Sequence, residues 1–92
     1  MIVKQTSIFK RRVKKMHAAE KAALDGVVKK IIVDPALGDM KAGDLLGVQV
    51  YKYKFKTQLY LLAYCYVADE LLLTFIEHGS HEDFYRDLKG RG

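Results

Sequence analysis

The sequence lacks several features that mark secreted, membrane or metal-binding proteins. Its 92 residues include one proline, no tryptophan and a single cysteine, Cys65, which cannot form an internal disulfide. No cysteine–histidine spacing typical of zinc sites occurs, and the N-terminus has no apolar signal segment. The longest apolar run, 59–68, is far shorter than the roughly 20 residues of a membrane span. We therefore expect a cytoplasmic protein with no metal, no cofactor and no membrane partner.

Acidic residues are missing from the first part of the chain, where none occurs before Glu20. The net charge is +5, and this favours an anionic partner such as nucleic acid, an acidic protein segment or a membrane surface. Charge alone does not choose among these. Half of the residues are hydrophobic, so we expect one globular domain over 1–92. Basic residues crowd one short stretch, namely Lys10, Arg11, Arg12, Lys14 and Lys15.

Apolar residues at helical spacing predict two consecutive helices after a weak first strand over 1–6. Phe9, Val13 and Met16 mark one stripe, so we expect a helix from a cap at Ser7 to about Met16. A second helix is predicted over 18–33, ended by Asp34-Pro35 because the residue before proline avoids the helical region.

The spacing of apolar residues changes to two from Val48, which indicates strands. We expect strands over 48–56, 59–67 and 71–76, with a turn at 68–70, and Gly79 ending the last strand. Ser80 then caps a closing helix that runs to about Lys89. The predicted order is β-α-α-β-β-β-α. This is an α+β sandwich in which a helical hairpin packs on an antiparallel sheet.

Two groups of residues have chemistry suited to a site. Lys52, Lys54 and Lys56 share one face of the predicted strand about 6.6 Å apart, which suits the phosphates of a nucleic-acid backbone. The alternative is a solvated face of an edge-like strand. His81 and Tyr85 are i, i+4 neighbours on the closing helix, where histidine can act as a general acid or base. The alternative is an exposed first turn and an aromatic residue that docks the helix.

The whole pattern resembles the RelE/ParE superfamily of type II toxins. The resemblance covers nearly the whole chain: the helical pair, Asp34-Pro35 before a glycine-containing loop, Leu46-Gly47 ahead of the basic strand, and two apolar strands. The closing string 79–85, Gly-Ser-His-Glu-Asp-Phe-Tyr, is similar to that of the YafQ-type branch.

The resemblance implies a toxin that enters the ribosomal A site and cuts messenger RNA without a metal. In that interpretation Lys52 and Lys54 contact the backbone and stabilise charge, and His81 and Tyr85 serve the reaction. A cognate antitoxin is implied as a partner, covering the basic sheet face or groove with a helix or an acidic tail. Further RNA contacts are expected from Lys56, Arg86, Lys10, Arg11 and Lys14.

One departure from the family pattern bears on activity. RelE-like toxins usually carry an arginine in the next strand just after an aromatic residue, whereas Tyr60 is followed here by Leu61 and Leu62. Either Lys56 or Arg86 then takes that role, or the chain is not an efficient ribonuclease. The alternatives are a ParE-like inhibitor of DNA gyrase and a non-catalytic binding module of the same fold.

Overall fold

The computed structural model describes residues 1–41 and 47–81. Within these ranges two helices lie against one five-stranded sheet, so the predicted α+β architecture with a helical hairpin is confirmed. The elements are β1 (Ile2–Gln5), α1 (Ser7–Lys14), α2 (Ala18–Val33), β2 (Asp39–Met40), β3 (Gln49–Phe55), β4 (Gln58–Val67) and β5 (Leu72–Ser80). Short 3-10 turns occupy Pro35–Leu37 and Ala68–Glu70. Of the predicted closing helix only His81 falls inside the described ranges, and 82–89 lies outside them.

The sheet is mixed, with strand order β1-β5-β4-β3-β2. The pairs β3–β4 and β4–β5 are antiparallel, as predicted. The short β2, which lies in the loop expected after α2, also pairs antiparallel with β3. The exception is β1, which runs parallel to β5, with Ile2 opposite Leu72 and Gln5 opposite Phe75. Parallel neighbours need a long connection between them, and here nearly the whole chain supplies it.

One face of the sheet is covered by the two helices. Phe9 of α1 stacks on Phe75 of β5, with ring centroids 5.6 Å apart. Burial of these side chains is the main favourable contribution to the stability of the domain. The buried cluster consists of Phe9, Leu24, Val27, Ile31, Leu62, Tyr64, Leu73 and Phe75.

A second, smaller apolar cluster lies on the opposite face of the sheet. Val50, Leu61 and Ala63 are each at most 1% exposed and pack with Val48 and Ile76. Val50 stands opposite Ala63 in the β3–β4 register, and alternation places Val50 and Tyr51 on opposite faces. Both sheet faces therefore bury apolar side chains. We call the face away from the helices the open face; its centre at Val50, Leu61 and Ala63 is buried, whereas Lys52 and Lys54 on it are exposed.

The starts and ends of the helices follow local chemistry, with one difference from the predicted cap. Thr6, rather than Ser7, is the N-cap of α1, and its hydroxyl accepts from the backbone N–H of Phe9 at 3.1 Å. The same hydroxyl donates to the carbonyl of Ile76 at 2.6 Å, which ties the start of α1 to β5. Asp34 ends α2 as predicted, because Pro35 follows it.

Strand β5 continues through Gly79, and the prediction that glycine ends this strand is wrong. The ten-residue β4 offers partners along its whole length, so Gly79 pairs with Leu61 and Ser80 with Tyr60. A bulge at Ile76 leaves that residue without a cross-strand partner, since Tyr64 pairs with Phe75 and Ala63 with Glu77.

A buried polar network attaches the loop after α2 to the sheet. The hydroxyl of Tyr64 donates to the carbonyl of Pro35 at 2.6 Å and accepts from the N–H of Gly38 at 2.7 Å. The side-chain amide of Gln49 donates to the same Pro35 carbonyl at 2.8 Å. These bonds satisfy polar groups that burial would otherwise leave unpaired.

Two kinds of site were sought in the part of the chain that the structure describes. None of the helices there is long and apolar enough to cross a membrane. No group of three or more histidine, cysteine or acidic side chains within 1–41 and 47–81 is arranged to hold a metal ion.

Candidate nucleic-acid interface

Two lysines of β3 project from the open face of the sheet. Lys52 and Lys54 are exposed, whereas Tyr51 and Tyr53, which alternate with them, pack against the helix-side core. The register places Lys52 opposite Leu61 and Lys54 opposite Leu59 on β4. Residues two apart on a strand are separated by about 6.6 Å.

The predicted third member of this row does not belong to it. Strand β3 ends at Phe55, and Lys56 lies in the hairpin turn with a positive φ of 57°. Its ammonium lies 5.5 Å from the centroid of the Phe55 ring. The pairing of Phe55 with Gln58 leaves two residues for the turn, and this takes Lys56 out of the strand.

Leu61 occupies the centre of the open face. It is fully buried and lies between Lys52 of β3 and Gly79 of β5 in one cross-strand row. This is the strand on which the sequence lacks the arginine expected of RelE-like toxins. A leucine side chain here provides no bidentate contact to a phosphate.

His81 follows the last residue of β5 directly and is exposed. Ser80 pairs with Tyr60, which in turn pairs with Tyr53, so the end of β5 is two strands away from β3. Two strand spacings correspond to about 10 Å. Tyr85 and Arg86 lie outside the described residues.

The basic residues of α1 do not all have the same surroundings. Lys10, Arg11 and Lys14 are exposed, as expected for an electrostatic surface. Arg12 instead forms an ion pair with Glu77 of β5, with 3.1 Å between Nε and Oε1. Glu77 is 1% exposed, and its carboxylate also accepts from the backbone N–H of His78 at 3.1 Å.

Three rings of the sheet form a cluster that the sequence reasoning did not identify. His78 stacks on Tyr60 at 5.3 Å between centroids, and its Nε2 is hydrogen-bonded to the hydroxyl of Tyr53 at 2.5 Å. The hydroxyl of Tyr60 donates to Glu20 of α2 at 3.4 Å. Cross-strand register brings these rings together. In the sequence, their one common feature is that each occupies an alternate position of its strand that faces the same side of the sheet.

Burial controls the ionisation of this cluster. It lowers the pKa of His78 from 6.5 to about 4, with Glu77 and Glu20 opposing the change and Arg12 adding to it. Burial, together with Tyr60 and Glu20, raises the pKa of Tyr53 well above its usual value of 10. Both rings are therefore neutral at neutral pH, and His78 carries no positive charge there.

The sequence matches a known class of bacterial toxin. The family model for the ParE-like toxin of type II bacterial toxin-antitoxin systems matches residues 3–89. The chain therefore belongs to this family of type II toxins. The suspected RelE/ParE relationship is thereby confirmed. No curated protein matches the sequence.

Solved structures of RelE proteins share the fold at low sequence identity. The isolated E. coli RelE toxin is 15% identical, with a TM-score of 0.68 over 98% of this chain and 96% of that chain. RelBE2, a toxin–antitoxin complex from Mycobacterium tuberculosis, contains a chain that is 17% identical, with a TM-score of 0.69 over 87% of this chain and 96% of that one. The intact E. coli RelBE complex gives 15% identity and a TM-score of 0.68, covering 85% and 93%. At these identities the likeness shows the fold alone.

Proposed function

We propose that this toxin is a ribosome-dependent endoribonuclease that cuts messenger RNA and stops translation. The observation that supports this best is the pair of exposed lysines, Lys52 and Lys54, on a sheet face whose far edge leads to His81. A strand of RNA that contacts the exposed ammonium groups of β3 would have the imidazole of His81 two strand spacings away, about 10 Å. Cations placed where negative charge develops are among the largest contributors to catalysis of phosphate chemistry.

The proposed reaction is an attack by the ribose 2'-hydroxyl on the adjacent phosphorus. His81 removes the hydroxyl proton as the O2'–P bond forms, and the P–O5' bond breaks to leave a cyclic phosphate and a 5'-hydroxyl. Lys52 and Lys54 stabilise the charge on the phosphate oxygens. Tyr85 orients the nucleotide or assists proton transfer to the leaving oxygen, and no metal takes part.

The remaining basic residues are proposed to attract and hold the RNA. Either Lys56 at the hairpin tip or Arg86 takes the role of the absent strand arginine. Lys10, Arg11 and Lys14 add positive potential, which steers a polyanion towards the surface. We propose cytoplasmic action, since ribosomes are the target.

A cognate antitoxin is proposed as the physiological partner. Two of the structures that share this fold, from E. coli and Mycobacterium tuberculosis, are complexes named for a toxin and its antitoxin. A helix or an acidic tail laid on the open face would neutralise Lys52 and Lys54 and cover the approach to His81.

The decisive experiment maps messenger ends by primer extension in a reconstituted translation reaction, with and without ribosomes. Cuts should appear only with ribosomes. They should fall by at least about a hundredfold in H81A and K54A, the usual range for loss of a general base or a charge-stabilising group. K29A removes an exposed lysine from α2 and serves as the matched control. Full cleavage by H81A would exclude the role given to this histidine.

Inhibition of DNA gyrase is the second candidate function. It is favoured by Leu61, whose buried side chain stands where a RelE-like ribonuclease would need an arginine, and by the ParE-like family model. In that case purified toxin should block supercoiling of relaxed plasmid by gyrase while messenger RNA stays intact. A non-catalytic binding module would leave both substrates unaffected.

A further inference from the structure

A cleft runs along one side of α1. It has a volume of about 430 Å³ and, among the described residues, is lined by Ile8, Arg11, Arg12 and Lys15. These positions are i, i+3, i+4 and i+7, so they form one continuous stripe of the helix. The stripe that includes Phe9 packs in the helix-side core. Three of the four residues in the cleft are cationic.

The central cation of this cleft is held in place by the sheet. The Nε of Arg12 lies 3.1 Å from the carboxylate of Glu77, which is buried at 1% exposure while the arginine side chain is 39% exposed. An arginine anchored in this way loses less conformational freedom when it meets a ligand, because its planar group is already oriented.

The cleft lies beside the edge of the open face. Glu77 stands opposite Ala63, which belongs to the open-face cluster. Two residues further along β5, Gly79 lies in the same cross-strand row as Lys52. The ion pair therefore draws Arg12 towards the face that carries Lys52. Positive charge flanks this face on β3 at one side and on α1 at the other, with about 10 Å from β3 to β5.

We propose that the α1 cleft is a second phosphate-binding site, which holds the part of a single-stranded RNA that extends past β5. Arg11 and Lys15 are separated by one helical turn, about 6 Å along the axis, so each can meet a separate phosphate of a continuous strand. Arg11, Arg12 and Lys15 of the described lining are cationic, which favours a polyanion as the ligand. The inference rests on the RNA-directed function proposed above.

The test measures binding separately from cleavage. A fluorescein-labelled single-stranded RNA with 2'-O-methyl riboses cannot undergo attack by the 2'-oxygen, so anisotropy reports affinity alone. Affinities are measured from about 50 to 200 mM salt for the wild type and for R11A/K15A. Loss of two contacts should lower the slope of log affinity against log salt by about 1.4 and weaken binding about tenfold at 0.15 M.

A matched variant makes the result specific to the cleft. K29A/K30A removes the same charge from α2, outside the cleft lining, and should keep the wild-type slope. An equal loss of slope in K29A/K30A would overturn the site, since general attraction would then explain binding. The proposed site would also be overturned if R11A/K15A bound RNA as the wild type does but no longer bound polyglutamate. The cleft would then be a site for an acidic protein segment.

Failure of the proposed function gives a different result. If no messenger is cut by the wild type, the salt dependence of binding to the uncleavable RNA still decides whether the α1 cleft contacts phosphates. The converse result is also distinct. If H81A loses cleavage while R11A/K15A retains it at saturating substrate and keeps the wild-type binding slope, the ribonuclease function is supported and phosphate binding by the cleft is refuted.

Discussion

Lowering the pH should destabilise this domain through one buried histidine, His78. Burial lowers the pKa of this group to about 4 in the folded protein, against 6.5 for the unfolded chain. Between these values the unfolded chain takes up a proton that the folded protein does not. The contribution of neutral His78 to the free energy of unfolding is therefore fully present above about pH 6.5, and it decreases as the pH falls towards 4.

The two pKa values give the size of the effect. The free energy of unfolding should fall by about 3 kcal/mol over the whole interval and by about 2 kcal/mol between neutral pH and about pH 5. The physical cause is the loss of hydration in the space between Tyr53 and Tyr60, where an imidazolium ring would meet a phenol hydroxyl and two aromatic faces. The nearby carboxylates of Glu77 and Glu20 reduce the effect without reversing it.

Urea unfolding followed by far-ultraviolet circular dichroism, at several pH values from about 5 to 7.5, measures this directly. H78F is the reference variant, because phenylalanine retains a ring against Tyr60 and does not titrate. It should be less stable at neutral pH, since it leaves the Tyr53 hydroxyl unpaired, but its stability should change less with pH than that of the wild type. Parallel curves for the two proteins would refute the assignment to His78.

Three further predictions concern side chains that join separate elements. Y64F should lower the free energy of unfolding by about 1–3 kcal/mol in a urea titration, because the Gly38 N–H and a carbonyl lose a buried partner. G38A should cost about 1–3 kcal/mol, since an added Cβ would lie 2.7 Å from the Tyr64 hydroxyl, and a double-mutant cycle with Y64F should be clearly non-additive. R12A should cost about 2–3 kcal/mol by removing the guanidinium 3.1 Å from the buried Glu77 carboxylate, and addition of E77Q should recover part of this. Equal stability of R12A and wild type would show that the pair contributes nothing.

The candidate site was only partly predictable from the chain. Exposure of Lys52 and Lys54 follows from strand alternation between two tyrosines, and the structure agrees. The position of Lys56 did not follow, because the hairpin turn begins one residue earlier than the sequence indicates. Tyr85 and Arg86 remain predictions from the family resemblance.

By itself, the sequence determined the elements whose cause is local. Helical periodicity located α1 and α2, Asp34-Pro35 ended the second helix, and strict alternation defined β3. Such signals act between residues a few positions apart, so they can be read without knowing the fold.

Only the tertiary structure decided the contacts between residues distant in the chain. The parallel pairing of β1 with β5, the ion pair of Arg12 with Glu77, and the stack of His78 on Tyr60 join positions tens of residues apart. Their formation depends on strand order and on the bulge at Ile76, which shifts the register by one residue. Hydrogen bonding and burial over the whole sheet select that register, and no local pattern in the sequence contains this information.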